Sequence, residues 1–294
     1  MGNRKIIGRV LAAAGASAAL ACCASASASA STGAVSSIAK LVPSAIKAKG
    51  TLTVAADASY APDEFIGSNG KTVVGMDADL SAALAKVMGL KVSVANVTFD
   101  NIIPAMVAGR YIMGASSFTD TKAREKQVNF VDYAKVGESF YTKASGGTSI
   151  KGIANICGLT VSVETGTTEQ IDAKAQSTKC TKAGKKAVNV TPFPNQNQAN
   201  LAVSSGRAQL GFADTPVADY QVKQSHGAFK LTGTAYATSP YGLAVSKSSG
   251  MTNAVKAALV YLIKNGTYGQ IFKKWGVQSI EVPASFVKIN GASR

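Results

Sequence analysis

The sequence predicts an α/β protein built from two lobes of one kind. Three observations carry this. Between Thr51 and Val107 the apolar positions alternate, then recur at helical spacing, and then do both again. The same succession returns from Leu159 to a helix starting near Pro216. A closing pair of helical patterns, Met251–Lys264 and Thr267–Trp275, follows a segment, 236–243, placed to bring the chain back to the first lobe. Strand followed by helix, repeated, builds a parallel sheet with helices on its faces.

In chain order, Thr51–Ala56 reads as a half-buried strand with Leu52 and Val54 inward. A loop over Asp57–Glu64 is broken by Pro62, and Gly67-Ser68-Asn69-Gly70 has turn composition. Val73-Val74 is a short strand. Asp77–Met88 is a helix with Leu80, Leu84 and Val87 on one face, Asp77 or Asp79 as its cap and Gly89 as its stop. A strand over Lys91–Val97 follows. Asp100 is expected to cap a helix running through Val107, with Pro104 in its first turn. Val136–Thr142 leaves this lobe. In the second lobe, strands are expected at Leu159–Val163, Ala187–Val190 and Gln209–Ala213. Helices are expected at about Glu169–Gln176, at Gln198–Ser205 and after Asp214. Residues 50–138 with 240–294 thus form lobe 1, and 139–239 form lobe 2. Trp275, four residues from Ile271, is a packing residue.

The first thirty residues have the form of an export signal. Arg4, Lys5 and Arg9 precede an apolar run, Val10–Ala21, too short to span a bilayer. Two processing routes fit. Ala19-Leu20-Ala21-Cys22 is a loose lipoprotein box that would leave Cys22 lipid-modified and anchor the chain to the membrane; Ala28-Ser29-Ala30 suits ordinary cleavage to a soluble secreted form. The first is preferred. Residues 31–49 read as a linker.

The formal charge is +15, or +12 once the signal is gone. The basic residues are scattered, Lys182, Lys185 and Lys186 being the densest group, and aromatics are only 7%. A nucleic-acid groove interleaves the two, so no nucleic-acid partner is expected and the charge is read as a solvated surface. Cys157 and Cys180 are the cysteines of the mature body, and an exported chain meets an oxidising compartment, so a disulfide is expected, two buried thiols being the alternative. With one histidine, His226, and no Cys-x-x-Cys pair, neither a metal nor a cofactor is expected.

The stretch Ser116–Phe130 carries the chemistry. Ser117, Thr119 and Thr121 alternate, and Arg124 follows Thr121 by three residues. Should Thr121 or Asp120 cap a short helix, its free N–H groups and the Arg124 guanidinium converge on a pocket for one carboxylate. The alternative is a capped surface helix with a solvated arginine. Around it stand Asp57-Ala-Ser-Tyr60-Ala-Pro62, Gly75-Met-Asp77-Ala-Asp79-Leu80, Phe99-Asp100-Asn-Ile-Ile-Pro104, Gly166-Thr-Thr168 and Phe212-Ala-Asp214. In this order and spacing, from about Gly50 to Val277, the chain resembles the extracellular solute-binding proteins, family 3, that feed polar amino acids to ABC importers. The resemblance implies the type II periplasmic-binding fold: two Rossmann-like lobes, a hinge and a ligand cleft between them. Its partners would be a free amino acid and a membrane permease, and the chain would act as a monomer.

At matching positions the resemblance implies that Arg124 takes the α-carboxylate, helped by the N–H groups of Thr119 and Thr168. Asp214 takes the α-ammonium, helped by the Ser117 carbonyl and the Thr119 hydroxyl. Tyr60 and Phe99 sandwich the aliphatic stem. Asp57, Glu164 and Glu169 add acids around the same cleft in a chain that has only sixteen, which points to a cationic or hydrogen-bonding ligand side chain. Each has a plainer reading: Asp214 as a helix cap, the aromatics as core, Asp57 as a loop brace and Glu169 as a helix-start acid. Two family positions differ: Ile112-Met113 and Gln209 stand where an aspartate is usual, and altered local bracing is expected there. An enzyme of this fold, such as a dehydratase with Glu164 as its acid, and a receptor's sensing subunit are the competing readings. The lipoprotein route has a direct test: the intact mass of the natively exported protein should show a lipid-modified Cys22, whereas an unmodified N-terminus at Ser31 refutes the anchor.

Overall fold

The computed structural model describes residues 33–292. The expected export segment and Cys22 lie outside the described residues. The linker expected over 31–49 is corrected: two short helices, α1 (Ser36–Ala39) and α2 (Ser44–Lys49), occupy it. Ile38, Val42 and Ile46, spaced by four, are buried in one core with Leu52 and Val54, because apolar side chains gain by leaving water.

Strand β1 (Thr51–Ala56) comes next. Then β2 (Ser59–Tyr60), β3 (Glu64–Ile66) and β4 (Val73–Val74) make a small antiparallel sheet of their own. Helix α3 (Met76–Val87) buries Leu80, Leu84 and Val87 as its spacing requires. The expected cap is corrected. Gly75 sits at the cap position with φ 133°, where an added Cβ would lie 2.2 Å from the Asp63 carbonyl oxygen. Asp77 is turned inward and accepts the Ser117 N–H at 2.9 Å; Asp79 accepts from Lys274 Nζ at 2.6 Å and Trp275 Nε1 at 2.8 Å. Trp275 therefore packs, edge-on to Phe65, and also ties α3 to the chain's last helix.

Strand β5 (Lys91–Asn96) pairs parallel to β1. Helix α4 (Phe99–Val107) starts one residue before the expected cap, so Asp100 lies inside its first turn and Thr98 takes the cap position; Pro104 falls a turn deeper than expected. Strand β6 (Met113–Gly114) precedes α5 (Lys122–Glu125), which Thr121 does cap, accepting the Arg124 N–H at 3.3 Å. Strand β7 (Asn129–Lys143) runs out of this lobe.

The second lobe holds β8 (Thr160–Glu164), α6 (Thr168–Lys182), β9 (Asn189–Phe193), α7 (Gln196–Ser204), β10 (Leu210–Asp214) and α8 (Thr215–Gln224). Every expected element is present, with β9 displaced toward Phe193 and α6 two turns longer than expected. Strand β11 (Phe229–Val245) returns, and α9 (Thr252–Lys264) and α10 (Thr267–Trp275) pack Val255, Leu259, Leu262, Ile271 and Phe272 into the first core.

The main sheet runs β5-β1-β6-β11-β7-β10-β8-β9. Its centre is the antiparallel pair β7 and β11, which runs from Asn129↔Val245 to Phe229↔Lys143 with irregularities on either side of Tyr236 and between Tyr241 and Gly242. Lobe 1 strands lie on one flank of the pair and lobe 2 strands on the other. Gln209, just before β10, accepts the Thr160 N–H through its side-chain oxygen at 2.9 Å and so ties the start of β10 to β8. Among the described residues no helix is long and apolar enough to cross a membrane.

Cys157 and Cys180 form a disulfide across a sequence separation of 23, tying the end of α6 to the segment before β8. Closing a loop of that length contributes about 3 kcal/mol in the chain-entropy description. Cys157→Ser/Cys180→Ser is expected to lose about that much in urea unfolding; an unchanged midpoint would show that the bridge does not constrain the unfolded chain.

Candidate functional site

The carboxyl ends of the strands of both lobes face one narrow crevice. Tyr60, Phe99, Ser117, Thr119, Arg124, Thr168 and Asp214 line it, with Glu169 and Thr167. Seven of the eight residues picked from sequence as direct ligand contacts thus meet. Asp57 and Glu164 stand outside that lining.

The lobe 1 wall is shaped by a strained turn. Ser117 adopts φ 50°, a left-handed conformation that a residue with a Cβ seldom takes. It is held there by its N–H on Asp77 and by its hydroxyl, which donates to Asp63 at 2.9 Å. Arg124 rises from the capped α5. Its guanidinium carbon lies 5.2 Å from the Phe99 ring centre and 5.4 Å from that of Phe118, and the two rings stack at 4.5 Å. Stacking fixes the fork's plane. One arm donates to the Thr119 carbonyl at 2.7 Å and another reaches across to the Gly166 carbonyl at 3.1 Å. The solvated-arginine alternative does not describe this side chain.

The lobe 2 wall is the mouth of α6 and the end of β10. Thr167 caps α6, accepting the Gln170 N–H. The Thr168 hydroxyl lies 3.3 Å from that of Thr119 on the opposite lobe. Asp214 occupies the cap position of α8, yet its carboxylate makes no cap bond; it accepts from the Tyr60 hydroxyl at 3.3 Å, again across the cleft. Burial, and then Glu138 opposite it in the β10–β7 ladder, push the Asp214 carboxyl up to about 8.

Behind the crevice the acids are crowded. Asp57 is buried and fully engaged: Oδ1 accepts from the Ser59 N–H and hydroxyl, and Oδ2 accepts the Phe99 N–H at 2.9 Å. This is the brace role. Glu164 is 1% exposed, and no N–H or hydroxyl reaches either of its oxygens. Burial, then the facing Asp57 carboxylate, hold its proton on well above the usual carboxylate range. Glu169 is also buried, its Oε2 accepting from the Thr168 hydroxyl at 3.3 Å. Arg124 thus stands among several buried acids. Sequence reading missed Ser59, Thr167, Gln196 and Glu138. The hydroxyl of Thr167 beside Thr168 was a visible cap signal, but Glu138 acquires its meaning only from the ladder that puts it opposite Asp214.

Residues 52–278 match the bacterial extracellular solute-binding proteins, family 3, and the chain belongs to that family. The arginine-binding protein ArgT of Corynebacterium glutamicum is 34% identical over 245 residues, covering 83% of this chain and 80% of its own. Among solved structures, an ancestral arginine-binding protein bound to arginine is similar with a TM-score of 0.70 and 35% identity, over 77% of this chain and 98% of its own. The ancestral amino acid-binding protein AncCDT-1, a precursor of cyclohexadienyl dehydratase, also reaches 0.70, at 33% identity over 79% of this chain and 97% of its own.

A carboxyl whose folded value is raised to about 8 keeps a proton that the unfolded chain gives up near 4. Its contribution is therefore complete at low pH and is lost as pH rises through 8, with a limiting slope of about 1.4 kcal/mol per pH unit. Asp214→Asn should flatten that decline. In urea unfolding without amino acid, the variant's stability relative to wild type should grow from pH 5 to pH 8; a constant difference would show that Asp214 is not protonated in the fold.

Proposed function

We propose that this chain captures a cationic amino acid, arginine foremost, outside the cytoplasm and hands it to the membrane permease of an ABC transporter. One observation carries the reading. Arg124 on lobe 1 and Asp214 on lobe 2 line the same narrow crevice, so an α-carboxylate and an α-ammonium each have a partner of opposite sign. Arg124 can take the carboxylate through its fork. Asp214, ionised by the arriving ammonium, can hold the other end, and Tyr60 and Phe99 flank the stem.

The side-chain preference rests on the surplus acids. Glu169 lines the crevice, and Glu164 and Asp57 press against each other behind it. A guanidinium or ammonium reaching toward them would find carboxyl oxygens to accept its hydrogen bonds, and a neutral amide would gain less from them. The names of the relatives, arginine-binding proteins among them, support the same preference. The lipid anchor at Cys22, the monomeric state and the lobe boundaries belong to this proposal. A catalytic reading has one observation in its favour, the protonated and buried Glu164, together with the likeness to a dehydratase precursor; product formation would decide for it.

The test is calorimetry of the mature chain against the twenty amino acids. Arginine should bind without turnover and more tightly than glutamine. Arg124→Ala should weaken arginine by at least about a hundredfold, the scale of a charge-assisted pair lost from a closed site, with little change in melting temperature. Asp214→Asn should weaken it by at least about tenfold. Unchanged affinity in either variant would remove that residue from the site.

A further inference from the structure

Four of the hydrogen bonds that cross between the lobes around the cleft differ in kind. Three are made by residues that line the crevice: Arg124 to the Gly166 carbonyl, Thr119 to Thr168, and Tyr60 to Asp214. An incoming amino acid competes for these groups. The fourth lies outside the crevice lining. The Gln196 N–H, at the first residue of α7, donates to the Ser59 hydroxyl at 3.0 Å. Ser59 in turn donates to Asp57 Oδ1 at 2.7 Å.

The contact is well built at both ends. The first-turn N–H groups of a helix have no partner within it. Asn195 satisfies the Gln198 N–H of α7 from within its own lobe, but the Gln196 N–H is satisfied from the other lobe. The Gln196 side chain donates to the Tyr141 hydroxyl at 3.0 Å and to Asn200 at 2.8 Å, so the helix end is held on β7. Ser59 is 8% exposed, and Asp57 passes the linkage on to the N–H of Phe99, the ring on which Arg124 rests. A ligand can rearrange the three crevice contacts without touching this one.

We propose that Ser59 is a positioning residue, latching the α7 end of lobe 2 onto lobe 1 and thereby setting how long a captured amino acid stays bound. The inference deepens the ligand reading above and rests on it. The latch forms after the lobes meet, so it slows opening and leaves encounter unaffected.

The fold offers a clean way to remove the bond. Gln196 is at the first helical position, where proline is accepted because its missing N–H has no intrahelical partner. Asn195 before it is already extended, at φ −155° and ψ 163°, as a residue preceding proline prefers. Gln196→Pro deletes the N–H together with the side chain, and Gln196→Ala deletes the side chain alone, so their difference isolates the latch. Arginine release measured by stopped flow should be about five to ten times faster in Gln196→Pro than in Gln196→Ala. Ser59→Ala should show the same acceleration and Ser59→Thr should restore slow release. Association rates should stay within about twofold. Equal release rates in the proline and alanine variants, or acceleration accompanied by an equal loss of association rate, would overturn the latch. A wild type that binds none of the twenty amino acids would instead refute the ligand reading, and the latch with it.

Discussion

Everything at the cleft depends on the antiparallel pairing of β7 and β11. These two long strands belong to both lobes, and the rest of the main sheet grows outward from them. Their register places the end of β10 beside Glu138, which aims Asp214 back toward lobe 1. It also brings β6 against β11, which supports the turn through Ser117 and the rise to Arg124. Two of the three register irregularities of the pair adjoin Tyr236, and the third lies between Tyr241 and Gly242. Bending at such a place costs little ladder energy, because the bonds there are already interrupted. The two half-sites therefore share one structural base.

The second organising fact is where the charges sit. Ten of the sixteen acids are buried, and no lysine or arginine among the described residues is. The high net charge is thus a property of the exterior, whereas the interior is acidic. Some of those acids serve as internal bonding groups. Asp63, Glu64 and Asp77 hold Ser116 and Ser117 in place, and burial raises all three above the usual carboxylate range. Others, Asp214 and Glu169, line the cleft beside Arg124.

Much of this was legible beforehand. Local patterns identified β1, β4, β5, β8, β9, β10 and most helices, because burial on one face imposes a period of two or of 3.6 on a sequence that folds, whereas β2 and the start of β3 fell in a stretch expected to be a loop. Thr121 capping α5 followed from the same kind of local chemistry. Helix starts were read less well. Asp77 and Asp100 look like caps, but an inward-facing carboxylate found a long-range donor in one case, and the helix began earlier in the other. The 31–49 stretch shows the opposite error: composition suggested a linker, while its apolar residues Ile38, Val42 and Ile46 recur every fourth position and are all buried, across two short helices and the turn between them.

What the sequence determined by itself was the set of parts: two α/β halves, an arginine next to a capped turn, and an aspartate at a strand end, each fixed by interactions a few residues long. What only the tertiary structure decided was their pairing. Asp57 became a brace and Glu164 its proton-holding neighbour, and Ser59 and Gln196 met over a separation of 137 residues. These roles depend on distances set by a sheet that closes only when both lobes are built. No local pattern along the chain encodes such a distance.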